Sequence, residues 1–112
     1  MKSIQALLKP PNLIFSPSAD LEMSVEKVAV LGGSGASFIP SVSKTGATVY
    51  LTSDCKFHQF QESRDAGIIL VDAGHYATER PACEALARKF ASFNLLFVQL
   101  SSQDEDFRNF LL

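Results

Sequence analysis

The 112-residue chain has no tryptophan, and only two histidines and two cysteines. So few imidazoles mean that one copy of the chain is not expected to complete a metal centre by itself. The cysteines, Cys55 and Cys83, form neither a Cys-x-x-Cys pair nor a zinc-ligand spacing. They read as reduced thiols of a cytosolic chain. His58, three residues after Cys55, is the nearest candidate to activate a thiol. Net charge is only −2, so no basic stripe points to nucleic acid. No long uncharged apolar run marks a membrane span. Met1 to Leu8 is too short and too weakly apolar for a signal peptide, which makes the cytoplasm the expected compartment. There is no internal repeat, low-complexity tract or flexible linker.

Apolar residues make up 46% of the chain and charged residues 20%, the composition of a packed domain. The length fits one domain spanning residues 1–112. Nine phenylalanines are many for this size, and several are expected to pack against another subunit. Phe93, Phe97, Phe107 and Phe110 lie toward the C-terminal end. Of these, Phe97 in a strand suits an ordinary core better than Phe110 near the terminus.

The pattern predicts a short helix over Lys2 to Leu8, with Ile4, Leu7 and Leu8 on one face and Pro10-Pro11 as its stop. Asn12 to Ser16 holds a strand candidate. Val28 to Leu31 reads as a buried strand closed by the turn Gly32-Gly33-Ser34-Gly35, followed by a helix over Phe38 to Lys44. Thr48 to Thr52 is the next strand and Phe57 to Asp65 a helix closed by Gly67. Ile68 to Val71 is a strand and Thr78 to Ala91 a helix, with Leu86 and Phe90 at helical spacing. Leu95 to Val98 reads as a last strand, and Asp104 to Leu112 as a tail with a short helix. Alternating strands and helices predict an α/β fold, a single layered unit with a sheet flanked by helices. The strands are continuous apolar runs, so both sheet faces are expected to be covered. Ligands then gather at the carboxyl ends of the strands.

Three strings sit at those ends. In Asp72-Ala73-Gly74-His75-Tyr76-Ala77-Thr78-Glu79, the histidine and glutamate are four apart, which on a helix sets their Cβ atoms about 5–6 Å from each other. One imidazole nitrogen and one carboxylate oxygen can then meet at a cation. The pair suits zinc, iron, nickel or manganese. Asp72 is placed to orient the imidazole. The same residues also suit a plain helix start, with Thr78 as N-cap, Glu79 as an early acid and Pro81 in the first turn. Gly33-Ser34-Gly35 offers either an anion cradle or a tight turn. Asp54-Cys55-Lys56-Phe57-His58 opens a helix. In it Asp54 is placed as a cap, and Lys56 and His58 as either cleft residues or surface groups.

Taken in order, Val28 to Gly35, Asp54 to His58 and Asp72 to Glu79 resemble the carboxy-terminal half of the Nif-three-like family, whose members carry the label GTP cyclohydrolase I type 2 homologues. The resemblance runs from about Lys2 to about Val98. It implies one half of a duplicated α/β fold with mixed sheets, divalent metal ions as cofactors, and homo-oligomers. It also implies that His75 and Glu79 are metal ligands, with Lys56-Phe57-His58 near the same cleft. The family draws its remaining ligands from its amino-terminal half, as a tandem histidine pair and an aspartate. This chain has no adjacent histidines. It is therefore a fragment of a longer protein, one half of a split pair whose amino-terminal half is another chain, or a degenerate half.

Two functions follow from the resemblance. The first is a contribution to a two-metal hydrolase-type site, with Asp54, Asp72, Lys56, His58 and the Gly33-Ser34-Gly35 turn near the ions or substrate and no catalytic residue assigned. The second is a non-catalytic assembly or interaction module that keeps the fold without a complete metal site.

Overall fold

The computed structural model describes residues 1–17, 19–20, 22–93 and 97–111. Helix α1 (Lys2–Leu8) is followed by β1 (Ile14–Phe15) and β2 (Val28–Ser34). A 3-10 turn (Ala36–Phe38) leads into α2 (Ile39–Ser43). Then come β3 (Val49–Ser53), α3 (Phe57–Asp65), β4 (Ile69–Asp72) and α4 (His75–Ala91). The sheet order is β1-β4-β3-β2. Strands β2, β3 and β4 are parallel and β1 is antiparallel to β4, so the sheet is mixed and the unit is α/β.

Two apolar clusters lie on the two faces, because successive strand residues point to opposite sides. One holds Tyr50 and Leu70 of the sheet against Ile39, Val42 and Phe60 of α2 and α3. The other holds Val49, Leu51 and Val71 against Met1, Ile4, Leu8 and Phe15. Leu70 is fully buried, so its truncation to alanine costs about 2–5 kcal/mol. Helix α1 docks through Ile4 and Leu8, one turn apart. Leu7, expected on that face, is 81% exposed.

The expected cover of both faces holds for β3 and β4 but not for β2. That edge strand leaves Val28 and Val30 exposed at 47% and 65%. The sequence carries no sign of strand order, so an edge strand and a central strand look alike in it. Two boundaries also moved, and two expected elements differ. The glycine run is the end of β2, not a turn after it. Helix α4 starts at His75, a turn before Thr78, and carries Pro81 in its interior. No helix forms over residues 104–111. Of the expected last strand, Leu95 and Leu96 lie outside the described residues, and Phe97 and Val98 have no strand pairing. Phe97 is 91% exposed, while Phe110 is partly covered and carries the Arg108 guanidinium 5.4 Å above its ring.

Among the described residues, no helix is long and apolar enough to cross a membrane.

Candidate functional site

The carboxyl ends of β2, β3 and β4 converge where α4 begins. Between Val30 and Ser34 the β2–β3 register slips: β2 takes four steps while β3 takes two, from Leu51 to Ser53. This bulge lifts Gly33 out of the regular ladder, with φ at 74°. The Gly33 N–H donates to the Thr78 hydroxyl at 2.9 Å, and that hydroxyl donates to the His75 carbonyl at 3.1 Å. Thr78 is thus a strand-to-helix bridge and not the N-cap. Gly74, with φ at 87°, occupies the cap position, a conformation that suits glycine.

The glycine run is required by close packing. A Cβ on Gly33 would lie 2.4 Å from Glu79 Oε1 and 3.3 Å from His75 Nε2. One on Gly35 would lie 2.5 Å from Thr52 Oγ1. The Gly33 and Gly35 carbonyls accept bonds from Thr52 and Tyr50. Since the Gly33 N–H is already engaged, the anion-cradle reading loses that donor.

His75 stands between two carboxylates. Its Nδ1 is 2.6 Å from Asp54 Oδ2, and its Nε2 is 3.2 Å from Glu79 Oε1. The Ser34 hydroxyl also donates to Asp54 Oδ2. All three charged side chains are about half exposed. The hydrogen bond from His75, then that from Ser34, holds the Asp54 carboxyl below the usual carboxylate range. The same Asp54 bond, aided by the charges of Glu79 and Asp54, raises His75 above the usual imidazole range.

Two expected roles change hands here. Asp72 does not touch the imidazole; its carboxylate accepts the Cys55 and Gly74 N–H groups, each at 2.9 Å, and so ties two loops together. Asp54 does not cap α3, which begins after Lys56 with the Lys56 N–H bonded to the Gln59 side chain at 2.8 Å. Asp54 sits instead at φ 56° and reaches His75. Lys56 and His58 are exposed. Among the described residues, neither side chain has a hydrogen bond or ion pair to this cluster. Burial, then the Asp72 and Asp54 charges, pushes the Cys55 thiol up to about 12, which keeps it protonated near neutral pH and argues against a nucleophilic role.

Sequence reasoning missed the wall beside the pair. A cavity of 370 Å³ lies between α4 and the tail, lined by His75, Glu79, Arg80, Cys83, Asp104 and Arg108 among others. Arg80 pairs with Asp104, and the Tyr76 hydroxyl donates to the Asp104 carbonyl at 3.2 Å. No local pattern links Asp104 to Arg80 across 24 residues.

His75 and Glu79 fit part of a cation site. Metal–nitrogen and metal–oxygen bonds of about 2.0–2.2 Å at tetrahedral or octahedral angles set two donors about 3.0–3.4 Å apart. The observed 3.2 Å falls in that range. Among the described residues, no three histidine, cysteine, aspartate or glutamate side chains converge to complete one.

The family model for Duf34/NIF3 (NGG1p interacting factor 3) matches residues 1–105. The chain belongs to the Duf34/NIF3 family. It is 69% identical over 109 residues to the GTP cyclohydrolase 1 type 2 homolog of Nostoc sp. (strain PCC 7120), covering 97% of this chain and 41% of that relative. The Bacillus subtilis (strain 168) protein of the same name is 42% identical over 73 residues, covering 65% of this chain and 19% of that relative. Among solved structures, Staphylococcus aureus protein SA1388 superposes with a TM-score of 0.85 at 25% identity, over 98% of this chain and 37% of that one. Reduced HcgD from Methanocaldococcus jannaschii superposes with a TM-score of 0.66 at 30% identity, over 84% and 37%. The chain therefore spans about two fifths of the Nostoc relative's length.

Proposed function

We propose that this NIF3-family chain contributes a half-site for a divalent cation to a two-metal hydrolase-type centre. His75 Nε2 and Glu79 Oε1 are its donors. The observation that carries the reading is their 3.2 Å spacing, with the other ring nitrogen already taken by Asp54. Gly33 packs closely against both donors, and a side chain there would press on Glu79 Oε1 and His75 Nε2. Without a cation, the charged ring, protonated on both nitrogens, bridges Asp54 and Glu79, which agrees with the raised His75 titration. The remaining donors come from another copy of the chain or from an amino-terminal half. Paired divalent ions in such a centre would make a bound water a nucleophile near neutral pH. The name shared by the relatives suggests an anionic, nucleotide-like substrate.

The test is a titration of the purified chain with Zn²⁺ and Mn²⁺ beside His75→Ala and Glu79→Ala. Each variant is expected to bind at least tenfold more weakly. Equal affinity in all three proteins would overturn the assignment.

A second reading, an assembly module without chemistry, is favoured by a separate observation. Val30 is exposed on the edge strand, and Phe97 and Phe107 are each 91% exposed. Turnover by this chain with added metal would exclude it.

A further inference from the structure

We infer that Asp54 is the positioning residue of this site: it fixes the His75 tautomer so that Nε2 presents its lone pair beside Glu79. The inference rests on the reading of His75 and Glu79 as cation donors.

An imidazole offers two nitrogens, and the partner of one decides which of them carries the proton. Both flanking carboxylates only accept, and Asp54 Oδ2 at 2.6 Å from Nδ1 is the closer of the two, against 3.2 Å from Nε2 to Glu79 Oε1, so the one proton of the neutral ring rests on Nδ1. The neutral ring then has its free lone pair on Nε2, the nitrogen that faces Glu79 Oε1 at 3.2 Å. Asp54 and Glu79 engage opposite edges of the ring, so Asp54 orients a donor and does not join Glu79 as one. The Ser34 hydroxyl bonds the same Asp54 oxygen and holds it in place from the end of β2.

The backbone supports this assignment. Asp54 directly follows β3 with φ at 56°, a region few residues with a side chain adopt and one where aspartate and asparagine are enriched. The strand turns sharply there, and its carboxylate returns to reach both Ser34 on β2 and His75 on α4. The Cys55 N–H that follows is held by Asp72. The turn is thus tied down on both sides, as expected of a group that must hold a ligand's orientation.

The test uses Asp54→Gly, because glycine adopts this backbone conformation without strain, and Asp54→Asn, whose amide oxygen still accepts from Nδ1. Long-range proton–nitrogen correlation spectra of the metal-free chain report the tautomer of neutral His75, and Zn²⁺ titration reports affinity. The native chain is expected to show the Nδ1–H form. Asp54→Gly is expected to shift it toward the Nε2–H form and weaken Zn²⁺ binding about 10–100-fold. Asp54→Asn is expected to keep the Nδ1–H form and stay within about tenfold of the native affinity. An unchanged tautomer and unchanged affinity in Asp54→Gly would overturn the inference. His75→Ala separates the two claims: if it binds Zn²⁺ as the native chain does, the donor reading fails, while the spectra still judge Asp54.

Discussion

Gly33 and Thr78, 45 residues apart, meet through one 2.9 Å bond from a strand N–H to a helix hydroxyl. That bond joins the bulged end of β2 to the first turn of α4, and so sets where Glu79 stands relative to the sheet. Thr78→Val keeps the shape and removes the acceptor. It leaves the Gly33 N–H unpaired in a buried position and is expected to cost about 1–3 kcal/mol in urea unfolding. Thr78→Ser keeps the hydroxyl and is expected to cost less. Equal stability of the valine variant and the native chain would show that water replaces the bond.

Gly33→Ala combines a backbone cost with a clash. At φ 74° an alanine is strained by about 1–3 kcal/mol, and its methyl would meet the Glu79 carboxylate at 2.4 Å. The carboxylate ends a flexible side chain, so it swings away and the His75–Glu79 spacing opens. Gly46 is the control, with φ at 78° and nothing within 4 Å of the place an added methyl would take. Gly33→Ala and Gly46→Ala are expected to lose similar stability in chemical denaturation. Only Gly33→Ala is expected to lose Zn²⁺ affinity in titration.

The mixed sheet followed only from the family resemblance, whereas the β3 and β4 strands, α3 and the α/β class were legible because apolar runs and helical spacing are local signals. The i, i+4 spacing of His75 and Glu79 was legible for the same reason. Asp54 was placed at the right strand end and given the wrong local task. A cap and a carboxylate that crosses to another helix share one residue type, and only the left-handed turn after Ser53 separates them. Thr78 hid in the same way, since a threonine near a helix start reads as a cap until the strand it faces is known. The exposure of Val28, Val30 and Phe97 had no local signature, because cover is set by neighbours distant in the chain.

Cys55 and Cys83 are expected to differ sharply toward alkylation. Cys83 is exposed, whereas Cys55 is half-buried with its thiol pushed up to about 12 by burial and the carboxylates of Asp72 and Asp54. Thiolate is the reacting species, so iodoacetamide at mildly alkaline pH is expected to label Cys83 and spare Cys55 in the folded chain. Peptide mass spectrometry before and after unfolding reads this directly. Rapid labelling of Cys55 in the folded chain would restore it as a candidate nucleophile.

The His75–Asp54 pair gives stability a defined pH window. His75 titrates above its ordinary range when folded, so its contribution is complete below about pH 6.5 and fades as pH rises through the raised folded value. Asp54 titrates below its ordinary range, so its contribution is complete above about pH 4 and fades as pH falls through the depressed folded value. The stability difference between the native chain and Asp54→Asn is therefore expected to plateau between about pH 4 and pH 6.5 and to shrink on both sides. Urea midpoints across pH measure it, and a difference independent of pH would show that the pair is neutral in the fold. Added Zn²⁺ gives the opposite slope, because the Nε2 proton must leave before the nitrogen can bind. Apparent Zn²⁺ affinity is expected to rise with pH through the raised His75 range, and this dependence should vanish in His75→Ala.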